Sequence, residues 1–440
     1  MSIQPKLKTF DLAMIVLSLV IGIGIFRSPA EVAHHSGNST IFFGAWLIGG
    51  LISLFGALTF AEIGSRLSLA GGFYQLFSIA YNPMLALMLN WALLLTMGGS
   101  FAMVSLIGSE YLLNSLAPAA YQATPYPQII AALVILILAV LNWLGIKTGS
   151  RTQNILSGLK IVLIAVIVIT AFSITPENKS QAISTIVDKK PNALMAFGTS
   201  LIAVFFSFGG YHQSINFGGD IQNPQKSLPR AIILGMSMIV GLYLLINWAY
   251  YEVLGFTGIQ HSDLVAAEAM EVLLGPAGRT FASVTIFLSA LGFLNATLMS
   301  TPRMYYAMAE DKVLPPIFGR VNAKTQVQEF GLLFYVFISL ISLAVFQTFR
   351  NILEYVMFID SLALALGAAS IFVFRRRQEG HNRATFKTPL YPLIPAVYVL
   401  CLLLVCVNVG IGNPLMALVG VGLLAMGAPM YLLIKRFSRA

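Results

Sequence analysis

Charge is what this chain of 440 residues has least of: Asp, Glu, Lys and Arg together make up 10% of it, where a soluble domain averages about 25%. So little charge cannot solvate the outside of a chain this long, and 58% hydrophobic residues point to lipid as the solvent. Cysteine is almost missing. Cys401 and Cys406 fall in one apolar run, which excludes a disulfide framework and the ligand spacing of a zinc site. The five histidines, His34, His35, His212, His261 and His381, form no H-E-x-x-H, and no G-x-x-x-x-G-K-[ST] occurs. We therefore expect no metal, no cofactor and no enzyme chemistry. No polar stretch is long enough for a soluble domain; the longest are 175–192 and 309–329. The net charge of +9 sits in short links between apolar runs, so it argues for orientation in a membrane rather than for a nucleic-acid partner. The partner to expect is the bilayer. An accessory subunit leaves no mark in the sequence.

What the chain does have is twelve apolar runs of spanning length: 10–33, 40–65, 83–113, 129–146, 155–174, 193–217, 232–256, 280–308, 330–346, 352–374, 393–409 and 415–434. The first is longer than a signal-peptide core and lacks a small-x-small cleavage site, so it should stay as a span. An even number of spans puts both termini on one side. Only Arg27, Lys179, Lys189, Lys190, Arg279 and Arg350 then fall on the far side, while all other Lys and Arg except Lys160 lie with the termini. That bias of roughly three to one places the termini in the cytoplasm, and a bacterial inner membrane is the expected location.

Two of the runs contain glycine pairs near their centres. Gly22 and Gly24 interrupt the first, within Val20-Ile21-Gly22-Ile23-Gly24-Ile25-Phe26, and Gly209-Gly210 interrupt the sixth after Phe205-Phe206-Ser207-Phe208. Gly22 and Gly24 point about 200° apart on a helix, so they cannot form one packing stripe. Each could seat a separate neighbour, or both could mark a break whose bare backbone faces a ligand. In the second case the N–H groups of Ile23, Gly24 and Ile25 would receive a carboxylate. The carbonyls of Val20, Phe206, Ser207 and Gly209 would receive an ammonium. Phe205, Phe206 and Phe208 read either as ordinary packing or as the wall of a side-chain pocket. Breaks in spans one and six make five helices a unit, and an odd unit enters the membrane inverted the second time. The expected fold is thus all-α and polytopic, with 12 transmembrane helices: a 5+5 inverted repeat over 10–174 and 193–374, with helices 11 and 12 peripheral in 393–434. A channel is the competing class, since broken helices also line pores, but one asymmetric pair of breaks does not form a ring.

Four stretches then carry a family resemblance, in order along nearly the whole chain. They are Gly22-Ile23-Gly24-Ile25-Phe26 with Pro29; Ala61-Glu62-Ile63-Gly64-Ser65 with Gly71-Gly72-Phe73-Tyr74; Asn223-Pro224-Gln225-Lys226-Ser227-Leu228-Pro229-Arg230-Ala231; and Asn295-Ala296 with Arg303, Tyr306-Ala307-Met308-Ala309 and Leu314-Pro315. Together they resemble the amino acid–polyamine–organocation superfamily, whose members share the fold of the bacterial leucine transporter. The resemblance implies a secondary transporter of an amino acid, or of a related amine or polyamine, working by alternating access. Ile23 stands where many members carry Ser or Thr, Arg27 where a small or apolar residue is usual, and Gly210 and Gly219-Asp220 differ from the commoner acidic pattern around helix six.

Single charges inside spans complete the reading. Lys160 lies nine residues beyond Arg151, about 13 Å into a core of about 30 Å. Its stem could snorkel to the cytoplasmic face; alternatively it resembles the fifth-helix lysine that replaces a bound sodium in sodium-independent members and ties helix one to helix eight. Asp360 is at mid-depth, where a carboxylate must be neutral, paired or facing water. It and His212, beside the second break, are candidate proton sites, and Asp360 could also meet a substrate amine. Glu110 reads as solvated near an outer helix end, and Glu62 as paired locally with Arg66 four residues on. Arg27, if it faces the site, should disfavour cationic side chains.

Overall fold

The computed structural model describes residues 7–67, 72–117, 121, 125–173, 193–217, 221–262, 264–345, 349–380, 382 and 384–437. The links 175–192, with Lys179, Lys189 and Lys190, and the pair Gly219-Asp220 lie outside these residues, as do the ends of the chain. The described residues form helices throughout: α1 (Thr9–Val20), α2 (Gly24–Ser36), α3 (Ser39–Arg66), α4 (Gly72–Ala80), α5 (Pro83–Leu116), α6 (Tyr126–Trp143), α7 (Ile146–Ser173), α8 (Ala193–Phe208), α9 (Pro224–His261), α10 (Val265–Glu310), α11 (Glu329–Val345), α12 (Phe349–Arg376), α13 (Leu393–Gly412) and α14 (Pro414–Phe437). Ten segments are long and apolar enough to cross a membrane, counting α1 with α2, and α8 with the turn after it, as one each. Two shorter apolar helical stretches, Glu329–Ala344 and Ala417–Leu432, stand at the places of the ninth and twelfth runs. Large apolar side chains such as Leu51 of α3, Ile137 and Val140 of α6 and Leu234 of α9 face outward, as the surface of an integral multi-pass membrane protein requires.

Local chemistry sets the helix ends. Asn38 and Asn82 accept the backbone N–H groups of Ile41 and Leu85 at 2.8 and 2.9 Å, capping α3 and α5, and Pro83 opens α5 where no donor is needed. Gly255 (φ 68°) and Gly275 (φ 68°) put non-helical joints into the long α9 and α10, so the apolar parts end and begin near the expected run boundaries.

The run 10–33 is two helices, separated at Ile21 (φ −74°, ψ 78°), where a break is expected. Two features differ from the sequence reading. In the run 193–217 the second break is followed only by a 3-10 turn, Tyr211–Asn216, rather than by a half-helix. The link after the second run holds α4, whose Phe73, Tyr74, Leu76 and Phe77 are buried and which packs on α5; nine residues are too short to register as a span. Corresponding helices of the two expected halves lie on one another: α2 on α8, α3 on α9, α5 on α10 and α6 on α11. α13 packs on α12 and α3, and α14 on α5 and α12.

At the helix ends that carry most Lys and Arg, Glu62 is fully buried and accepts from three elements at once. Arg66 Nε donates at 2.9 Å, Arg375 Nη2 at 2.7 Å and the backbone N–H of Thr388 at 2.7 Å. The i,i+4 spacing predicts the pair with Arg66; it is silent on the partners from α12 and the segment after it. That segment is fastened further: Thr388 Oγ1 donates to Leu58 O at 3.2 Å, Ser65 Oγ to Phe386 O at 3.3 Å, and the Thr385 hydroxyl to Gln225 O. Neutralising the centre of such a network strands two guanidinium groups, a loss of about 3–5 kcal/mol. Glu62→Gln should therefore lower the unfolding temperature in detergent by several degrees more than Glu310→Gln, at the exposed Glu310. Equal melting temperatures would show that Glu62 does not hold the two elements together.

Candidate functional site

The two breaks meet. An ideal Cβ on Gly210 (φ +108°) would lie 2.2 Å from Leu19 O, and one on Gly24 would lie 2.9 Å from Ser207 Cα. Only glycine permits backbone to approach backbone this closely. At the start of α2 the N–H groups of Phe26 and Arg27 both turn back to Ile23 O, at 3.0 and 3.1 Å. The N–H groups of Ile23, Gly24 and Ile25 precede the first helical donor, Phe26 N–H, and sit at the positive end of the α2 dipole.

The carbonyl side differs from expectation. Tyr243 of α9, fully buried, lies with its hydroxyl 3.1 Å from Val20 O and 3.2 Å from Ser207 O, bridging the ends of α1 and α8. Val20 O also accepts from Gly22 N at 2.8 Å, and Phe206 O from Gly209 N at 3.2 Å. Three of the four carbonyls assigned to an ammonium thus already have a donor. Tyr243 is invisible to sequence reading because one tyrosine inside a span carries no signal of its own.

Lys160 is 1% exposed, so it does not snorkel. Its Nζ donates to Ser18 O, in the last turn of α1, at 3.2 Å and to Ile21 O, at the break, at 2.5 Å. Its stem passes over Gly292 of α10, where an added Cβ would come within 2.6 Å of Lys160 Cε. Beside it, Ser157 Oγ donates to Met14 O at 3.1 Å and lies 2.5 Å from Ser18 Oγ, so α7 holds α1 at two successive turns.

Between the breaks and α12 lies a partly open cavity. Val20, Gly22, Ile23, Gly24, Phe206, Phe208 and Gly209 line it, as do His212 and Asp360. Ile25 and Ser207 do not: both are buried behind the wall, and Ser207 Oγ donates to Ala203 O at 3.0 Å. Phe293 of α10 reaches the cavity over Gly22. His212, Gln213 and Asp360 also border a second space, bounded by Phe73, Asn216, Thr301 and Met304. Arg27 is not on the wall of either; it lies within electrostatic reach of Glu110. The expected bias against cationic side chains therefore has no basis in its position.

Comparison with known proteins follows this geometry. The model of a family described as amino acid permease matches residues 7–430. The serine/threonine exchanger SteT of Bacillus subtilis (strain 168) is 29% identical over 384 residues, covering 87% of this chain and 85% of that protein. The b(0,+)-type amino acid transporter 1 of Mus musculus is 25% identical over 400 residues, 91% of this chain and 81% of its own. The large neutral amino acids transporter small subunit 2 of Mus musculus is 25% identical over 430 residues, 95% and 79%.

Proposed function

The chain belongs to the amino acid permease family, and from that membership we propose that it is a secondary transporter carrying an amino acid by alternating access, without sodium. The observation that carries the reading is the pairing of unlike helix ends on one cavity: the N-terminal N–H groups of α2 and the carbonyl ends of α1 and α8. The first suits a carboxylate and the second an ammonium, so an amino acid head group is answered at both ends. A polyamine brings no carboxylate and leaves the α2 donors unmet. Among the expected contacts, Ile23 and Gly24 would hold the carboxylate with Ile25 supporting from behind, and Val20, Phe206 and Gly209 would turn carbonyls to the ammonium, with Ser207 behind the wall. An ammonium arriving there takes over a bond now made by Tyr243.

The packing of α2 on α8, α3 on α9, α5 on α10 and α6 on α11 supports two five-helix units of inverted topology, over 10–174 and 193–374. In such a fold one unit rocks against the other around a fixed site. The Lys and Arg bias supports cytoplasmic termini in a bacterial inner membrane. SteT is named an exchanger, and exchange is the mode we infer here. Purified protein in proteoliposomes preloaded with an unlabelled amino acid should accumulate the labelled one by counterflow. Uptake without stimulation from the opposite side would favour a channel and end the carrier reading.

A further inference from the structure

Three polar atoms on the cavity wall are buried with no protein partner: Nδ1 of His212, Oδ1 of Asp360 and Oγ of Ser361. They belong to two elements, the turn after the second break and α12, and all three residues line one cavity. A buried polar atom left unpaired is costly, so three around one cavity mark a place built for a ligand group. The rest of the wall is largely apolar, with Val104, Phe205, Val356, Met357, Leu364 and Leu402 around them. The two tyrosines nearby bond to each other, Tyr211 Oη donating to Tyr398 Oη at 2.8 Å, and neither is bonded to the three atoms.

The charge on this wall is unbalanced. Among the described residues no Lys or Arg lines the cavity. The nearest cation by topology, Lys160, is spent on the carbonyls of α1, and Arg27 lies off the wall. An ionised carboxylate in such surroundings needs a countercharge, without which it is held neutral, and the group that can bring that charge is the substrate. We propose that His212, Asp360 and Ser361 form the side-chain subsite, and that it takes a side chain ending in an ammonium: the substrate is a basic amino acid. This rests on the amino acid transporter reading and narrows it. An ammonium has three N–H donors, one for each of the orphaned acceptors, and its aliphatic stem lies against the apolar wall. Asp360 and His212, read from sequence as candidate proton carriers, then act on the substrate instead.

The probes are L-lysine and L-norleucine, which share a four-carbon side chain and differ in the terminal ammonium. In counterflow with the full chain in proteoliposomes, wild type should half-saturate with lysine at a concentration about tenfold or more below that for norleucine. Asp360→Asn, which keeps the shape and removes the charge, should bring the two within about threefold. Norleucine matching or outcompeting lysine in wild type overturns the subsite without any variant, and so does a lysine preference that survives Asp360→Asn. Equal handling of both probes, with a pH dependence that disappears in Asp360→Asn, would also overturn it, by making the carboxylate a proton carrier. In each of these cases amino acid exchange persists; failure to exchange any amino acid would instead defeat the transporter reading itself.

Discussion

Gly24→Val yields a protein that inserts and purifies normally but does not bind its amino acid. The first added carbon already lies 2.9 Å from Ser207 Cα, 3.1 Å from its Oγ and 3.2 Å from its Cβ. A rotamer change can swing the hydroxyl aside but cannot move the backbone, so α2 and α8 must separate. Valine adds two methyl groups in a stiff arrangement at the first helical residue of α2, beside the N–H groups proposed for the carboxylate. Separation and obstruction act together on the same cradle, and Gly24→Ala, which causes the first alone, should lose about tenfold or more in affinity. Gly241→Ala is the control: it lies on α9 with nothing within 4 Å of an added Cβ, so it tests loss of glycine without a clash. The measurement is equilibrium binding of labelled substrate to monodisperse protein in detergent. Wild-type affinity in well-behaved Gly24→Val would remove the backbone cradle from the site.

Both breaks are legible in the sequence because a glycine pair in the middle of an apolar run has few explanations, and Lys160 and Asp360 because a lone charge at mid-depth has few more. What escapes are the partners. Tyr243 lies 223 and 36 positions from the residues whose carbonyls it bridges, and nothing in a tyrosine-containing span announces such an interaction. Gly292, which makes room for the Lys160 stem, looks like any small residue in a helix. His212 joins Asp360 and its neighbour Ser361 only once α12 and the second break border one cavity. The 3-10 turn Tyr211–Asn216 reads as the end of a span because its polar residues can belong to a short turn as readily as to a helix end. Arg27 lies off the cavity wall and within electrostatic reach of Glu110, although its spacing of three from Gly24 would allow both on one helix face. The Glu62–Arg66 pair follows from local spacing, whereas Arg375 reaches Glu62 from another helix altogether.

Lys160→Met should slow transport far more than it weakens binding, in a protein that still folds. Methionine matches the length and apolar stem of lysine, so the packing against Gly292 can persist. The bonds to Ser18 O and Ile21 O cannot. Those two carbonyls lie in the last turn of α1 and at the break, and through them α7 fixes α1 against α10, where the proposed alternating-access cycle would need movement. Leaving a buried carbonyl unanswered costs about 1–3 kcal/mol, and at about 1.4 kcal/mol per factor of ten the population of the transport-ready arrangement should fall about 5- to 100-fold. The same ammonium bears on sodium. A tethered positive charge already occupies the oxygen-lined end of α1, and a second cation beside it in a low-dielectric interior would be repelled. Wild-type uptake into proteoliposomes should therefore be unchanged when choline replaces sodium, while Lys160→Met should lose at least about fivefold in rate in either medium. Strict sodium dependence of the wild type, or full activity of the variant, would take Lys160 out of the transport cycle and leave it as a packing residue of α7.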